Sequence, residues 1–584
     1  IFAGKRSSNC RNPSARGGTR EVNEMNDQLR AILFVLLALL ILFAWSHFVK
    51  PPVAPQKPGE AQQHGLVAPQ GAATSQSPGA VPESAEAKTP AVAESSKPVK
   101  IPVVQATAEK SVVIESTLYR VELSNRGGVV RSWQLKKYFD DQTPPRPLDL
   151  VDSNSAAQLG WPFSVLLSDA QLEAKANSAL YEITPDTGHL NAPSEITLHW
   201  SDGHLAVTKK LSFNQNYELS LEVSVTLDGK PLPAAISWRG GFGDKEVYKA
   251  SQLVSVFYKS NNKITLLQYK KLGVPSHQDQ PYLQMGPLEF TGIEDQFFTA
   301  VFIPQDTDLS LWHWTQQHNI TVDDKPATEP EAEMAAGTSG DGPLRARLYV
   351  GPKDLTLLEK MNPPLEGLIN FGWTGIIAKP LFYALKWTYK YVPNYGWAIV
   401  LLTLAINLPL FPFKMMSWRS MQKMQKVAPE VRSIQDRYKK YSMNDPRKRK
   451  MNEEVMAVYS REGINPMMSC LPMLVQAPIW WALWRVLTGA IELRHAQWIW
   501  WIHDLSVKDP YYILPAAMAV TMYLMTKMTP QASADPTQQK MQTLMPLMFA
   551  VFFFTLSSGL NLYMFTSNVV DRKSTRLNSS HGII

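Results

Sequence analysis

Cysteine is nearly missing from this chain of 584 residues: there are two, Cys10 and Cys470. They stand in segments of very different character, so neither a disulfide framework nor a cysteine metal site is implied. Catalytic signatures are missing too. The chain carries no HExxH, no G-x-S-x-G, no Walker phosphate loop and no Cys/His cluster. Zinc-protease, serine-hydrolase and ATP-driven readings therefore have no support, and no metal or cofactor is expected. Residues 51–100 contain nine prolines and no aromatic residue. Such a stretch cannot bury enough apolar area to fold, which predicts a flexible linker over 51–104. Periodicity is lacking in residues 1–24, ahead of the first methionine, Met25. The last residues, 571–584, read DRKSTRLNSSHGII after an apolar run. Both ends, 1–24 and 571–584, are read as a non-native leader and tail and take no part in the fold expectation.

What the chain has is long apolar runs. Ala31–Val49 is the first, just long enough to cross a bilayer. A cleaved signal peptide is the rival, but the run is long for one, so an uncleaved anchor over 25–50 is expected. From 105 to 352 the pattern turns to period two. Tyr217, Leu219, Leu221, Val223, Val225 and Leu227 alternate with polar residues before an Asp228-Gly229 turn. Asp202-Gly203 and Asn125-Arg126-Gly127-Gly128 mark two further turns. A large β-sandwich with little helix is predicted. His204, His277, His313 and His318 sit singly in it, as solvated or structural histidines do. Residues 353–395 follow, and within them Phe382, Leu385, Tyr389 and Val392 share one helical face with lysines around it. That pattern predicts an amphipathic helix in the membrane interface, with an ordinary packed helix as the bland alternative.

The densest apolar block is Trp397–Val570. It divides into spans at Trp397–Phe413, Pro466–Ile491, Tyr511–Met528, a fifth beginning at Leu544 and a sixth beginning at Leu560. Between the first two, residues 413–464 hold 13 Lys plus Arg and 6 Asp plus Glu, a balance of 13 − 6 = +7. The positive-inside rule makes this loop cytoplasmic and puts the β domain on the other side of the membrane. Trp498, Trp500, Trp501, Tyr511 and Tyr512 then form an aromatic belt at the outer interface. The loop itself reads as a helical hairpin broken at Asp445-Pro446. Its basic cluster Arg447, Lys448, Arg449, Lys450 serves either topology alone or docking onto ribosomal RNA or anionic lipid. Asn407, Gln476 and Arg485 are polar residues left inside the spans, where an ionisable side chain by default marks function. Thr403 lies one turn from Asn407; its hydroxyl and the Gln476 amide either line a polar path or bond to a neighbouring helix.

Motifs across the chain resemble the YidC family of membrane-protein insertases, which includes mitochondrial oxidase-assembly and chloroplast members. The strongest are NPMMSCLPMLVQAPIWWALWRVL (465–487), ELRHAQWIWWIHDLSVKDPYYILP (492–515) and DPTQQKMQTLMP (535–546). SNRGGVVRSW (124–133), GIEDQFF (292–298) and LYVGPKD (348–354) add the β region. The resemblance implies a membrane protein with an N-terminal anchor helix, a periplasmic β-supersandwich, an interfacial amphipathic helix and a five-helix insertase core over 396–570 with a cytoplasmic helical hairpin. It implies insertion of nascent membrane proteins into the bacterial inner membrane through a hydrophilic groove, alone or beside the Sec translocon. The ribosome and membrane lipids are the further partners implied.

The family usually carries an arginine in the groove on the second span, and the matching position here is Asn407. One reading moves the charge to Arg485, with Asn407, Thr403, Gln476 and Trp484 as the other groove residues. At about 1.5 Å per residue, however, Asn407 and Arg485 differ in depth by about 13 Å. The alternative is an Arg485 that snorkels outward or pairs with Glu492. A transporter or channel predicts internal repeats with broken helices, and no such repeat is visible. An anchored binding protein leaves five spans unexplained.

Overall fold

The computed structural model describes residues 101–581 apart from 246–249, 270–271, 273–281, 285, 306–307, 323–324, 339, 341, 442–444, 466–470 and 529–550. All of these belong to one compact unit, Ala93–Ile584. The expected anchor at Ala31–Val49, residues 51–100 of the expected linker and His277 lie outside the described residues, while Val104, at the linker's end, bridges to Ser201 of the β domain instead of belonging to a linker.

Among the described residues, the β domain forms three sheets. The largest has ten strands. It runs from Lys263–Gln268 through Ser255–Ser260, Phe290–Glu294, Phe298–Pro304, Leu344–Pro352, Glu218–Leu227, Leu205–Phe213 and Ser194–Ser201 to Glu182–Thr184, with Lys230–Pro231 added beside Glu218–Leu227. Two five-stranded sheets flank it, one built around Tyr119–Ser124 and Val129–Phe139, the other around the long hairpin of Leu309–Val322 and Lys325–Thr338. Period-two patterning has the effect expected of it: in Glu218–Leu227 Leu219, Leu221, Val223 and Val225 are buried while their neighbours are half-exposed. The Asp228-Gly229 turn has both residues at positive φ, 51° and 79°, the conformation a tight two-residue hairpin needs. Asp202 holds its turn by accepting from the His204 and Leu205 amides at 2.8 and 2.7 Å. Trp133, Phe163, Phe213 and Trp238 interlock in the core between the sheets. Short helices Ser153–Leu159 and Ala170–Ser178 are capped by Asp152 and Asp169.

Among the described residues, six longer helices follow: α1 Gly375–Tyr391, α2 Tyr395–Arg437, α3 Pro446–Arg461, α4 Leu471–Gly489, α5 Ile513–Met528 and α6 Ser558–His581. In α1, Ala378, Phe382 and Leu385 are buried at helical spacing, while Trp373 just ahead of it and Ile376, Trp387 and Tyr391 are exposed. Val392, expected on the same face, instead ends the helix in an extended conformation. Residues 353–374 contribute one helical turn at Leu355–Leu358 and two 3-10 turns rather than more of α1.

The second span does not stop at Phe413. One helix of 43 residues carries the chain from the apolar segment straight into the hairpin's first arm, through Pro409, Pro412 and Pro429. At 1.5 Å per residue α2 is roughly 65 Å long, about twice the thickness of a hydrocarbon core. It is the helix long and apolar enough to cross a membrane among the described residues, and α5 is a shorter apolar one. The hairpin closes on Val427, Val431 and Ile434 of α2 and Val458 of α3. Asp445 caps α3, with Pro446 in its first turn. The helix at the chain's end continues beyond Val570, where the sequence reading broke it off, and runs to His581.

Candidate functional site

One polar seam runs along the apolar helices, and α2 supplies most of it. Asn394 starts that helix by accepting from the Trp397 amide at 3.1 Å. Gly396 then lets the helix backbone lie against Trp498: a Cβ there would meet the indole at 2.2 Å. From this fixed start, Ile399, Thr403, Asn407, Leu410 and Ser417 fall on one buried face at intervals of three, four and seven. Thr403 Oγ1 donates to the Ile399 carbonyl at 2.6 Å, and Asn407 Nδ2 donates to the Thr403 carbonyl at 2.8 Å. The Asn407 amide oxygen then accepts from Lys414 Nζ at 2.6 Å. The same ammonium pairs with Asp571 of α6 at 2.6 Å.

The opposite wall comes from α4 and α6. Gln476 Nε2 donates to the Tyr563 hydroxyl at 3.0 Å. Gln476 Oε1 and Asn568 Nδ2 are buried with no hydrogen-bond partner among the described residues. One turn along α4, Trp480 Nε1 lies 2.9 Å from Met564 Sδ. Trp484 stacks on Phe552 with ring centroids 5.7 Å apart. Asn561 Nδ2 donates to the Phe553 and Leu556 carbonyls at 3.0 and 3.3 Å, fixing the turn that leads into α6.

Of the residues singled out from sequence, the structure therefore gathers Thr403, Asn407, Gln476 and Trp484 on these facing helices. It does not bring Arg485 to them. Arg485 is nine residues after Gln476, which at about 100° per residue is half a turn away on α4. Its side chain is exposed, whereas Ala482, Leu483, Val486 and Leu487 are buried. The alternative partner is also taken: Glu492 pairs with Lys386 at 2.8 Å. The cation that reaches Asn407 is Lys414, which sequence reading passed over as part of the basic loop. The available signal was its spacing, seven residues from Asn407, or two helical turns on the same face.

The basic cluster heads α3. Arg447 lies over the Tyr441 ring at 4.4 Å and pairs with Asp445 at 3.7 Å, while Arg449 and Lys450 are exposed. No acid stands in that first turn, so the four cations oppose the helix dipole. Cys470 lies outside the described residues.

The β domain meets this bundle at a polar junction. Arg494 holds Asp244 with two nitrogens, Nε at 2.8 Å and a terminal nitrogen at 2.7 Å, and both side chains are almost wholly buried. Gln296 Nε2 donates to the Thr488 carbonyl at 3.0 Å. Asp295, whose carboxyl burial pushes up to about 6, accepts from the Asp244, Phe297 and Phe298 amides.

Taken together, these features define an apolar helical bundle with an internal polar seam, carrying a large β-rich domain. Residues 111–384 match the family described as YidC periplasmic domain, and residues 387–577 match the one described as 60Kd inner membrane protein. The membrane protein insertase YidC of Methylobacillus flagellatus is 32% identical over 555 residues, 93% of this chain and 95% of the relative. That of Syntrophus aciditrophicus is 30% identical over 559 residues, 93% of this chain and 97% of the relative. A solved structure described as an active YidC insertase with its first transmembrane domain resolved is 18% identical, covers 82% of this chain and 94% of its own, and gives a TM-score of 0.33. The chain belongs to the YidC family of membrane-protein insertases.

Proposed function

We propose that this chain is a non-enzymatic insertase of the bacterial inner membrane, with its β domain in the periplasm and the α2–α3 hairpin in the cytoplasm. The observation that carries the reading is the polar seam from Thr403 through Asn407 to Lys414, facing Gln476 and Tyr563 inside an apolar bundle. A charged residue at the centre of a spanning helix costs about 2.5–3.5 kcal/mol, so a short tail with two charges meets a barrier of roughly 5–7 kcal/mol. Polar groups arrayed along a bundle face lower that barrier for the tail. Burial of the substrate's own apolar helix in lipid then drives the step.

The cation of this groove is Lys414. A lysine at the end of an apolar span ordinarily snorkels toward the nearer water. Lys414 instead reaches back about two turns, roughly 10 Å along the axis, to the buried Asn407 amide. Asp571 pairs with this ammonium in the resting chain, so an acidic tail of a nascent membrane protein binds by taking the place of that carboxylate. Thr403, Asn407, Gln476 and Trp484 line the path; Arg485 lies off it. The ribosome, the Sec translocon and anionic lipid are the macromolecular partners in this reading, with Arg447, Lys448, Arg449 and Lys450 as the contact for ribosomal RNA or lipid headgroups.

The test is rescue of a bacterium depleted of its own insertase, scored by membrane insertion of a substrate with an acidic tail. Lys414→Met should lower insertion at least fivefold, and Arg485→Ala should leave it within twofold. The reverse pattern would return the groove charge to Arg485. Failure of the unaltered full-length chain to rescue would remove the insertase reading itself.

A further inference from the structure

The histidines of the β domain do not all stand alone. His318, on Leu309–Val322, and Glu331, on Lys325–Thr338, are diagonal neighbours across the hairpin, because His318 is paired with Glu329 and Glu331 with Gln316. Asp152, the N-cap of Ser153–Leu159, completes a triad with them, and one ligand atom from each lies within 4.8 Å of the others. Two of the three are almost fully buried: His318 has 3% and Glu331 0% of its side chain exposed. Both carry an atom with no hydrogen-bond partner among the described residues, His318 Nδ1 and Glu331 Oε2. His318 Nδ1 stands 4.0 Å from Glu331 Oε1, beyond hydrogen-bond length. Buried polar atoms in folded proteins nearly always have partners, so two unpartnered ones within this triad point to a ligand.

Charge and space agree with a cation. Lys245 takes Glu331 through its other oxygen, Oε1, leaving Oε2 free. Two carboxylates against one ammonium leave the cluster net negative if His318 is neutral. Farther out, Glu333 accepts from the Gly240 amide and the Trp314 indole, and Glu329 from the Ser251 hydroxyl, so neither competes for the triad. Gly241 keeps the Glu331 side open, since a Cβ there would stand 2.7 Å from Oε2.

We propose that Asp152, His318 and Glu331 form a divalent-metal site of the Zn2+ class in the β domain. One imidazole nitrogen with two carboxylate oxygens is the donor set that suits Zn2+ better than Ca2+ or Mg2+, which favour all-oxygen shells. At bond lengths of about 2.1 Å tetrahedral donors stand about 3.4 Å apart, so donors as far apart as 4.8 Å must close by about 1.4 Å around the ion. The ion pins the long hairpin to the short helix Ser153–Leu159.

Titration of the full chain in detergent with Zn2+ alone, followed by calorimetry, tests this. A single saturable site is expected, binding Ca2+ at least tenfold more weakly. Asp152→Asn is the deciding variant, because asparagine caps a helix as well as aspartate does and the fold is retained. It should weaken Zn2+ binding at least tenfold, as should Glu331→Gln. Lys245→Met, which removes the competing ammonium, should tighten it. The melting temperature should rise with Zn2+ in the unaltered chain and not in Asp152→Asn. Absence of saturable binding, equal affinity for Ca2+, or Zn2+ binding unchanged in both Asp152→Asn and Glu331→Gln would overturn the proposal and leave Lys245 as the only cation of the cluster.

Discussion

Lys209 is a buried cation with three acceptors for its three N–H bonds: the carbonyls of Gly127 at 2.7 Å, Gly128 at 3.0 Å and Phe163 at 2.8 Å. Its ammonium also faces the Tyr181 ring at 5.3 Å. It thereby ties the Gly127-Gly128 turn of one sheet to the strand Leu205–Phe213 of another. Burial pushes its pKa down to about 7. A base whose folded pKa is depressed binds its proton more weakly in the folded state than in the unfolded one. Stability should therefore rise with pH from about 7 to about 10.4, the unfolded value, as far as this group is concerned. Lys209→Met strands three buried carbonyls. It should cost roughly 3 kcal/mol at neutral pH and flatten the rise above pH 7, as read from denaturant midpoints at several pH values. The period-two run Leu205, Val207, Lys209, Leu211 already puts this lysine on the inward face of its strand. What the run does not contain is the acceptors, which lie 46 to 82 residues earlier in the chain and become neighbours only when two sheets stack. Arg485 illustrates the converse: an arginine in an apolar run stands out in the sequence, but its direction follows from its half-turn offset from Gln476 on α4, and it is exposed.

Elements were legible where local periodicity and turn chemistry agree. The hairpins at Asp202-Gly203 and Asp228-Gly229 and the break at Asp445-Pro446 all fall where those residues stand. The length of α2 was not legible, because the change from apolar to basic composition at Phe413 reads as a boundary. Composition changes there; helical backbone does not, and prolines at 409 and 412 bend or weaken hydrogen bonding without ending the helix. The consequence is mechanical. A continuous helix couples the seam at Asn407 to the hairpin's basic end, and its register is set at the other end, where Gly396 admits Trp498. Trp397 meets the same indole edge-on at 5.8 Å. Gly396→Ala should force the two apart and cost about 1–3 kcal/mol, since a Cβ at that position overlaps the ring. A lowered melting temperature of the detergent-solubilised chain, with loss of insertion in proportion, is the expected result. An unchanged melt would mean that Trp498 does not set the register of α2.

At the scale of the molecule, the β domain and the helical bundle are joined by contacts between residues far apart in sequence. Arg494 reaches Asp244 across 250 positions, and it also donates to the Phe139 carbonyl at 2.9 Å. Gln296 reaches Thr488 across 192. The family resemblance made both bodies legible, but nothing in the spacing of either segment indicates which charge pairs with which. A buried ion pair is weak evidence for net stability, because desolvation offsets the attraction; its removal by halves is another matter. Arg494→Ala leaves the Asp244 carboxylate buried without its guanidinium and should cost about 3–5 kcal/mol. Asp244→Ala should cost a similar amount, and the double variant much less than the sum. Thermal unfolding of the four proteins gives the coupling energy directly. If the β domain is a rigid extension of the bundle, both single variants should also expose the junction at Thr488 and Arg494 to limited proteolysis, and the double variant should do so less than either. Additive losses, with cleavage elsewhere, would show that the two bodies meet at this pair without being held by it.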